Sequence, residues 1–336
     1  MTALVRESGD LKGGKGLVDQ SNKRMTGIIL VLAGTTLWGV SGTVAQFLFQ
    51  EKSYQADWLV VVRLLVSGLI LLVFTGAMHG KKKLFSVWTD GNSWFSVILF
   101  GLIGMLGVQY TYFAAIETSN AATATLLQYL GPVFITLYLA LRTKTWPGIR
   151  QTTAILLALA GTYLLVTAGT PSSLTISGTA LFWGLASALA LAFYTVQPLK
   201  LLKEHGTIPV IGWGMVIGGI GMSFVAPPWE AHGEASFSAV LAILFVILFG
   251  TLIAFFCYLE SLKYLQPSET SLLACAEPLS AAILAVLWLN TPFGLAEWGG
   301  AACIIITVIL LSRAKEQNRQ MPETHTSEQQ PNKVSI

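Results

Sequence analysis

The residue that could most plainly do chemistry is a glutamate inside an apolar stretch. Residues 270–289 are apolar enough to span a bilayer, yet Glu277 lies near their middle. Counted from Gln266, Glu277 is about 16 Å along a helix axis, close to the midplane. An acidic side chain there costs roughly 2.5–3.5 kcal/mol on insertion scales, and such residues usually mark an ion path, a substrate contact or a proton relay. The alternative is a structural acid, either neutral or paired with Arg63, that holds two helices together.

A proline follows Glu277 and has a counterpart earlier in the chain. Moving back 146 positions without a gap brings Pro278 onto Pro132. Each proline removes one backbone N–H and frees the carbonyl four residues earlier, here that of Gln128 and of Ala274. Such a carbonyl must face protein or a water-filled cavity, and matched interruptions in two halves of a membrane protein indicate a transport site. We therefore expect a site between these two broken helices.

A buried arginine is the second candidate for chemistry. Arg63 lies six residues into the second apolar segment, about 9 Å along its axis. Its side chain could extend outward to Asp57, reach toward Glu277, or hold a substrate carboxylate, which a guanidinium matches in geometry. The sequence leaves these three interpretations open.

Polar and aromatic side chains cluster at similar depths in both halves of the chain. The residues expected on a substrate or proton pathway are Glu277, Arg63, Gln128, Tyr129, Tyr112, Tyr258, Trp38 and Trp183. Aromatic residues in membrane spans often serve packing alone, but buried tyrosine hydroxyls need partners. A cavity with this lining would suit small amphipathic solutes such as amino acids or their derivatives.

The composition predicts an all-α membrane protein. Of the 336 residues, 54% are hydrophobic and 11% charged, and the apolar runs have the length needed to cross a bilayer. The net charge of +3 is too small to indicate nucleic acid. The four histidines are scattered and the three cysteines (Cys257, Cys275 and Cys303) have no CxxC spacing, so neither a metal nor a cofactor is expected.

The apolar runs divide the chain into ten transmembrane helices. They lie near 27–49, 57–77, 93–116, 119–141, 150–169, 177–199, 207–227, 238–260, 266–289 and 294–312. The expected organisation is a disordered cytoplasmic tail (1–24), a first five-helix repeat (25–169), a second (177–312) and a second disordered cytoplasmic tail (313–336).

The basic residues predict the orientation. With both termini in the cytoplasm, eighteen of the twenty lysines and arginines lie on the inner side, Lys52 lies outside, and Arg63 lies within a span. Because five is odd, the second half enters the membrane inverted. Trp38-Gly39 and Trp183-Gly184 match at a shift of 145 positions, as expected for an inverted-topology repeat.

These residues together resemble the EamA-type branch of the drug/metabolite transporter superfamily. The similarity rests on the WG pairs, Arg63, SNAATATLLQYLGP in the fourth span and LLACAEP in the ninth, and it covers about 27–312. It implies a bacterial inner-membrane carrier of amino acids or other metabolites, often an exporter. Family members often have a glutamate just after the fourth and ninth spans, where this chain has Thr145 and Thr291, so no role of that glutamate carries over.

The leading interpretation is a secondary transporter of small organic metabolites that works by alternating access and is coupled to protons through Glu277. A nucleotide-sugar or other polar metabolite carrier of the same superfamily is the alternative. An intramembrane enzyme would need a nucleophile–base pair or a metal set, and a structural or receptor protein would not need a midplane acid. No P-loop is present, which argues against a primary pump.

The expected partners are a small-molecule substrate and the lipid bilayer. Nucleic acid is not an expected partner, and a homodimer is left open.

Overall fold

The computed structural model describes residues 4–89, 91, 93–144, 146–169, 176–261, 263–265, 270 and 273–320; side chains are described from residue 23 to residue 311. Within these ranges every regular element is a helix. The protein is therefore all-α, as the sequence predicts.

The described residues of the first half form eight α-helices and one π-helical segment. They are α1 (Leu4–Glu51), α2 (Ala56–Leu84), α3 (Ser86–Thr89), α4 (Ser93–Leu99), π1 (Phe100–Met105), α5 (Leu106–Thr118), α6 (Ala121–Gln128), α7 (Gly131–Thr143) and α8 (Ile149–Thr167).

The second half, in its described ranges, contains seven α-helices and another π-helical segment. They are α9 (Gly178–Val196), α10 (Leu199–His205), α11 (Thr207–Ser223), α12 (Phe237–Ile247), π2 (Leu248–Ile253), α13 (Ala254–Ser261), α14 (Ala276–Leu287) and α15 (Leu295–Gln320).

Seven helical segments in the described part of the chain are long and apolar enough to cross a membrane. They are Lys23–Glu51, Ala56–Thr89, Ser93–Thr118, Ala121–Thr143, Ile149–Thr167, Gly178–Val196 and Phe237–Ser261. Three shorter apolar helices, Thr207–Ser223, Ala276–Leu287 and Leu295–Leu311, fall where the sequence predicts the seventh, ninth and tenth spans. The protein is thus a multi-pass membrane protein.

The outermost helices extend beyond the predicted spans. Helix α1 begins at Leu4, inside the segment 1–24 for which the sequence predicts a tail, and α15 continues to Gln320, past the predicted end at 312. Neither extension contains a proline, so nothing in the backbone obliges the helix to stop at the membrane surface. Residues 266–269 and 271–272 of the predicted ninth span, Thr145, and residues 321–336 lie outside the described residues.

The two π-helical segments occupy matching places in the two halves. Gly104 lies in π1 and Gly250 in π2, and these are the glycines that the 146-residue shift pairs. In π2, the hydroxyl of Thr251 donates to the carbonyl of Val246, five residues earlier, at 3.0 Å. Such local widening of a helix is rare and frequently marks a functional site.

Glycines allow several helices to approach closely. A Cβ atom at Gly161 of α8 would lie 2.8 Å from the carbonyl oxygen of Gly300 in α15, and one at Gly219 of α11 would lie 2.7 Å from the side chain of Leu65 in α2. Small residues at such crossings maximise van der Waals contact where lipid supplies no hydrophobic driving force. These two pairs hold together helices from opposite halves of the chain.

Helix α1 runs through the centre of the molecule. It packs against helices of both halves, including α5, α6, α12, α13 and α14. The six consecutive residues 41–46 are all buried, so this section of α1 is enclosed on every side. Its side chains can therefore contribute to an internal site.

Candidate functional site

A cavity of about 160 Å³ lies where helices from both halves meet. Its lining is mixed: one arginine, one glutamate, two glutamines, two tyrosines and a serine stand among apolar and aromatic side chains. It is lined by Trp38, Ser41, Gly42, Arg63, Met105, Val108, Gln109, Tyr112, Phe113, Gln128, Leu191, Tyr194, Phe255 and Glu277.

Arg63 is held in this cavity by the backbone and side chain of π2. Its Nε donates to the hydroxyl of Thr251 at 2.7 Å, and one terminal nitrogen donates to the carbonyl of Gly250 at 3.1 Å. The guanidinium also lies 5.0 Å from the centroid of the Phe113 ring. Arg63 is 5% exposed, so these contacts replace part of the hydration that its charge has lost.

Arg63 makes no salt bridge within 4.0 Å to any carboxylate of the described residues. It therefore neither extends outward to Asp57 nor pairs directly with Glu277. A guanidinium has five N–H donors, and the two bonds to π2 use only part of them. Because Arg63 also lines the cavity, its remaining donors suit the third interpretation, a site for an anionic group.

Glu277 lies in the first turn of α14 and contacts Tyr129 from the other half of the chain. Its Oε2 atom is 3.1 Å from the hydroxyl oxygen of Tyr129, which is also 2.7 Å from the carbonyl oxygen of Ala274. That carbonyl is the one that Pro278 deprives of its usual partner, and it also accepts the backbone N–H of Glu277 at 3.0 Å.

Four polar side chains of the lining have no hydrogen-bond partner in the described part of the protein. The hydroxyl of Ser41 is fully buried and unpaired. Gln109 and Gln128 are 8% and 9% exposed, and they and Tyr194 line the cavity without a side-chain bond. Because buried polar groups are nearly always paired, these side chains are suited to bind water or a ligand.

The aromatic wall is built around Trp38. Its ring packs edge-on against Phe255 and at a tilt against Tyr258, in both cases with centroids 5.1 Å apart. Tyr112 is fixed by a bond of 2.8 Å between its hydroxyl and that of Thr125. An apolar or cationic part of a solute could lie against these ring faces.

Both helix interruptions border the cavity. Helix α6 ends at Gln128 and α7 begins at Gly131, so Pro132 lies in the first turn of a new helix. Likewise α14 begins at Ala276 and contains Pro278 in its first turn. Proline is well tolerated there because first-turn N–H groups have no intrahelical partner. Each interruption contributes one lining residue, Gln128 or Glu277.

The structure brings most of the predicted site residues together. Trp38, Arg63, Tyr112, Gln128 and Glu277 line the cavity.

The other three predicted residues lie behind the lining or away from it. Tyr129 and Tyr258 support lining residues through the contacts described above. Trp183 does not line this cavity and instead packs edge-on against Tyr110, with centroids 5.4 Å apart.

Several lining residues were not among the candidates from the sequence. Ser41 and Gly42 could have been found, because they follow Trp38 at the i, i+3 and i+4 spacing of one helix face. The apolar residues Met105, Leu191 and Phe255 carry no signal that separates them from other apolar residues of their spans.

Comparisons with known proteins agree with this architecture. The sequence model of the EamA-like transporter family matches residues 25–167 and 178–313. The "uncharacterized inner membrane transporter YicL" of Salmonella typhimurium is 43% identical over 286 residues, which cover 85% of this chain and 95% of that protein. The "uncharacterized transporter YwfM" of Bacillus subtilis is 24% identical, with 89% of this chain and 98% of that protein covered.

A solved crystal structure has a similar fold, with a TM-score of 0.58 at 18% identity, covering 89% of this chain and 99% of that one. At this identity the likeness concerns the fold alone. The family match extends over most of both halves, and YicL is similar along nearly its whole length. The chain therefore belongs to the EamA-like transporter family.

Proposed function

We propose that the protein is a secondary transporter of small organic metabolites, with amino acids and close derivatives as the favoured class, and that it works by alternating access. The observation that carries the proposal is the cavity itself. It lies between the two helix interruptions and presents one basic group, one acidic group and several unpaired polar side chains. Such a lining would be costly to maintain in a protein that only packs helices together.

The size and chemistry of the cavity favour a small zwitterionic solute. Cavities of about 150 Å³ can hold a benzene-sized molecule, so about 160 Å³ admits a small metabolite. The unused donors of Arg63 suit a carboxylate, Glu277 suits an ammonium group, and the rings of Trp38 and Phe255 suit an apolar side chain.

We further propose ten spans arranged as two inverted repeats in a bacterial inner membrane, with both termini in the cytoplasm. Support comes from the distribution of basic residues and from the three shorter apolar helices at the predicted positions. The matched π-helical segments and interruptions support the equivalence of the halves.

In this orientation we infer that the protein is closed on the outer side. At that end α1 is enclosed over residues 41–46 and every residue of α6 is buried. Lys52, between α1 and α2, forms a salt bridge of 3.1 Å with Glu234, between α11 and α12. The cavity would then be reached from the cytoplasm, as an exporter requires when it loads its substrate.

Counterflow in liposomes tests the function. Purified protein is reconstituted with an internal excess of one unlabelled solute from a panel of amino acids, sugars and nucleotide sugars, and entry of the labelled form is followed. We expect exchange of one or more amino acids or derivatives. Exchange of nucleotide sugars alone would overturn the substrate class, and conversion of a solute to a new product would point to an enzyme.

A further inference from the structure

A single hydroxyl lies between two hydrogen-bond acceptors at the interruption before α14. The hydroxyl oxygen of Tyr129 is 2.7 Å from the carbonyl oxygen of Ala274 and 3.1 Å from Oε2 of Glu277. A tyrosine hydroxyl has one proton, so it can donate to only one of them in a well-aligned bond. The protonation state of Glu277 decides how both contacts are satisfied.

With an ionised Glu277, the two acceptors compete for the one proton of Tyr129. The Tyr129 hydroxyl then donates to the carboxylate, because hydrogen bonds to charged acceptors are roughly twice as strong as hydrogen bonds to neutral acceptors. The carbonyl of Ala274 then keeps only the backbone N–H of Glu277 at 3.0 Å. With a protonated Glu277, the carboxyl group donates to Tyr129, whose own proton goes to Ala274, so that both short contacts are satisfied at once.

We propose that Tyr129 is a positioning residue that transmits the protonation state of Glu277 to the interrupted backbone at Ala274, and that the geometry seen here is that of the protonated form. When Glu277 loses its proton to water in the cavity, the Tyr129 hydroxyl turns toward the carboxylate and releases the carbonyl of Ala274. Tyr129 itself belongs to the interruption between α6 and α7. One hydroxyl thus couples the two interruptions of the chain.

Among the described residues, the other ionisable groups that face Glu277 are not hydrogen-bonded to its carboxyl group. Electrostatic contacts reach Glu277 from Arg63 on α2, Tyr112 on α5, Tyr258 on α13 and Cys275 beside the interruption. Arg63 is bonded to π2 and Tyr112 to Thr125. Among the described residues, only Tyr129 forms a side-chain hydrogen bond with the carboxyl group of Glu277.

Infrared titration of the purified protein tests the contact without any transport. The carboxylic C=O band that titrates with pH and disappears in Glu277→Gln belongs to Glu277. In Tyr129→Phe we expect that band to shift to higher frequency, because the carboxyl group loses its hydrogen-bond acceptor. Tyr138→Phe is the matched control, since Tyr138 is an exposed tyrosine on α7, and it should leave the band unchanged. No titrating Glu277 band, or the same band in wild type and Tyr129→Phe, would overturn the proposal.

A second arm rests on the proposed function and examines coupling. In liposomes, Tyr129→Phe should keep counterflow within about threefold of wild type but lose most of the accumulation driven by a pH gradient. Unimpaired gradient-driven accumulation in Tyr129→Phe would refute the coupling role even if the infrared shift is present. Absence of counterflow in wild type for every solute would refute the proposed function and leave the infrared result standing.

Discussion

At the scale of single residues, the charge of Glu277 is the feature whose removal is most informative. Glu277→Gln retains the volume and much of the hydrogen bonding but deletes the titrating group. We expect the variant to fold and insert normally, to lose proton-driven accumulation, and to exchange substrate with little dependence on pH. Glu230→Gln, at an exposed acid outside the spans, serves as the control. Wild-type rates with an unchanged pH profile would make Glu277 purely structural.

Arg63 gives the second prediction at this scale. Arg63→Lys keeps the positive charge but removes the planar guanidinium. That group bonds the hydroxyl of Thr251 and the carbonyl of Gly250 and also lines the cavity. A hydrogen bond to a charged group contributes about 1.5–3 kcal/mol, so affinity for a carboxylate-bearing solute should fall by roughly tenfold or more.

Isothermal titration with the solute found by counterflow measures the effect of Arg63→Lys. Arg142→Lys, at an exposed position on α7, controls for the substitution type. A variant that binds carboxylate solutes as tightly as wild type would remove Arg63 from the binding site.

The candidate site could be predicted only where a residue is chemically conspicuous. An acid or an arginine in an apolar span is conspicuous because lipid penalises it, which is why Glu277 and Arg63 were found. The partners of Arg63 could not be predicted, since Thr251 is nearly two hundred positions away and reaches it only through the packing of π2. Trp183 was expected at the site because its WG pair matches that of Trp38, yet the match does not determine which way its ring points.

At the scale of elements, the seven long membrane-crossing segments of the described chain were predictable, and the deviations inside them were not. The predicted span 238–260 coincides with the helical segment Phe237–Ser261, because bilayer thickness determines how long an apolar run must be. The π-helical segments π1 and π2 leave no trace in the sequence, since one wider turn changes neither the hydropathy nor the length noticeably. Segment π2 nevertheless supplies the carbonyl and the hydroxyl that hold Arg63.

The close crossing of α8 and α15 gives a prediction for stability. Gly161→Ala places a methyl group where a Cβ would lie 2.8 Å from the carbonyl oxygen of Gly300, so the helices must separate. Overpacking of this kind typically costs about 1–3 kcal/mol, and we expect a lower unfolding temperature in detergent. Gly178→Ala is the matched control, because nothing lies within 4 Å of the added atom there. Equal unfolding temperatures of the two variants would contradict the close approach.

At the scale of the whole molecule, a polar network joins the two halves at the end where α1 stops. Gln46, 2% exposed, accepts the backbone N–H of Ala121 at 2.9 Å and donates to Gln50 at 2.9 Å and to Thr291 at 3.2 Å. Thr291 follows α14, whereas Ala121 begins α6, so one side chain bridges both halves. The 145-residue shift pairs Gln46 with Leu191, which lines the cavity and offers no such bonds.

This asymmetry predicts that the network around Gln46 holds the outer side closed. Gln46→Leu removes the two bonds to other helices, those to Ala121 and Thr291, at about 0.5–1.5 kcal/mol each. Their sum of about 1–3 kcal/mol should raise the population open to the outside by roughly five- to 150-fold. The cysteine of Leu191→Cys, at a partly exposed residue of the cavity lining, reports the change in a background without the three native cysteines. In inside-out vesicles it should react readily with an impermeant thiol reagent, and in right-side-out vesicles only after Gln46→Leu is added. Gln55→Leu, at an exposed glutamine near the same end, should have no effect. Reaction from the outside in the parent protein would reverse the proposed state, because alternating access requires the cavity to be closed on one side at a time.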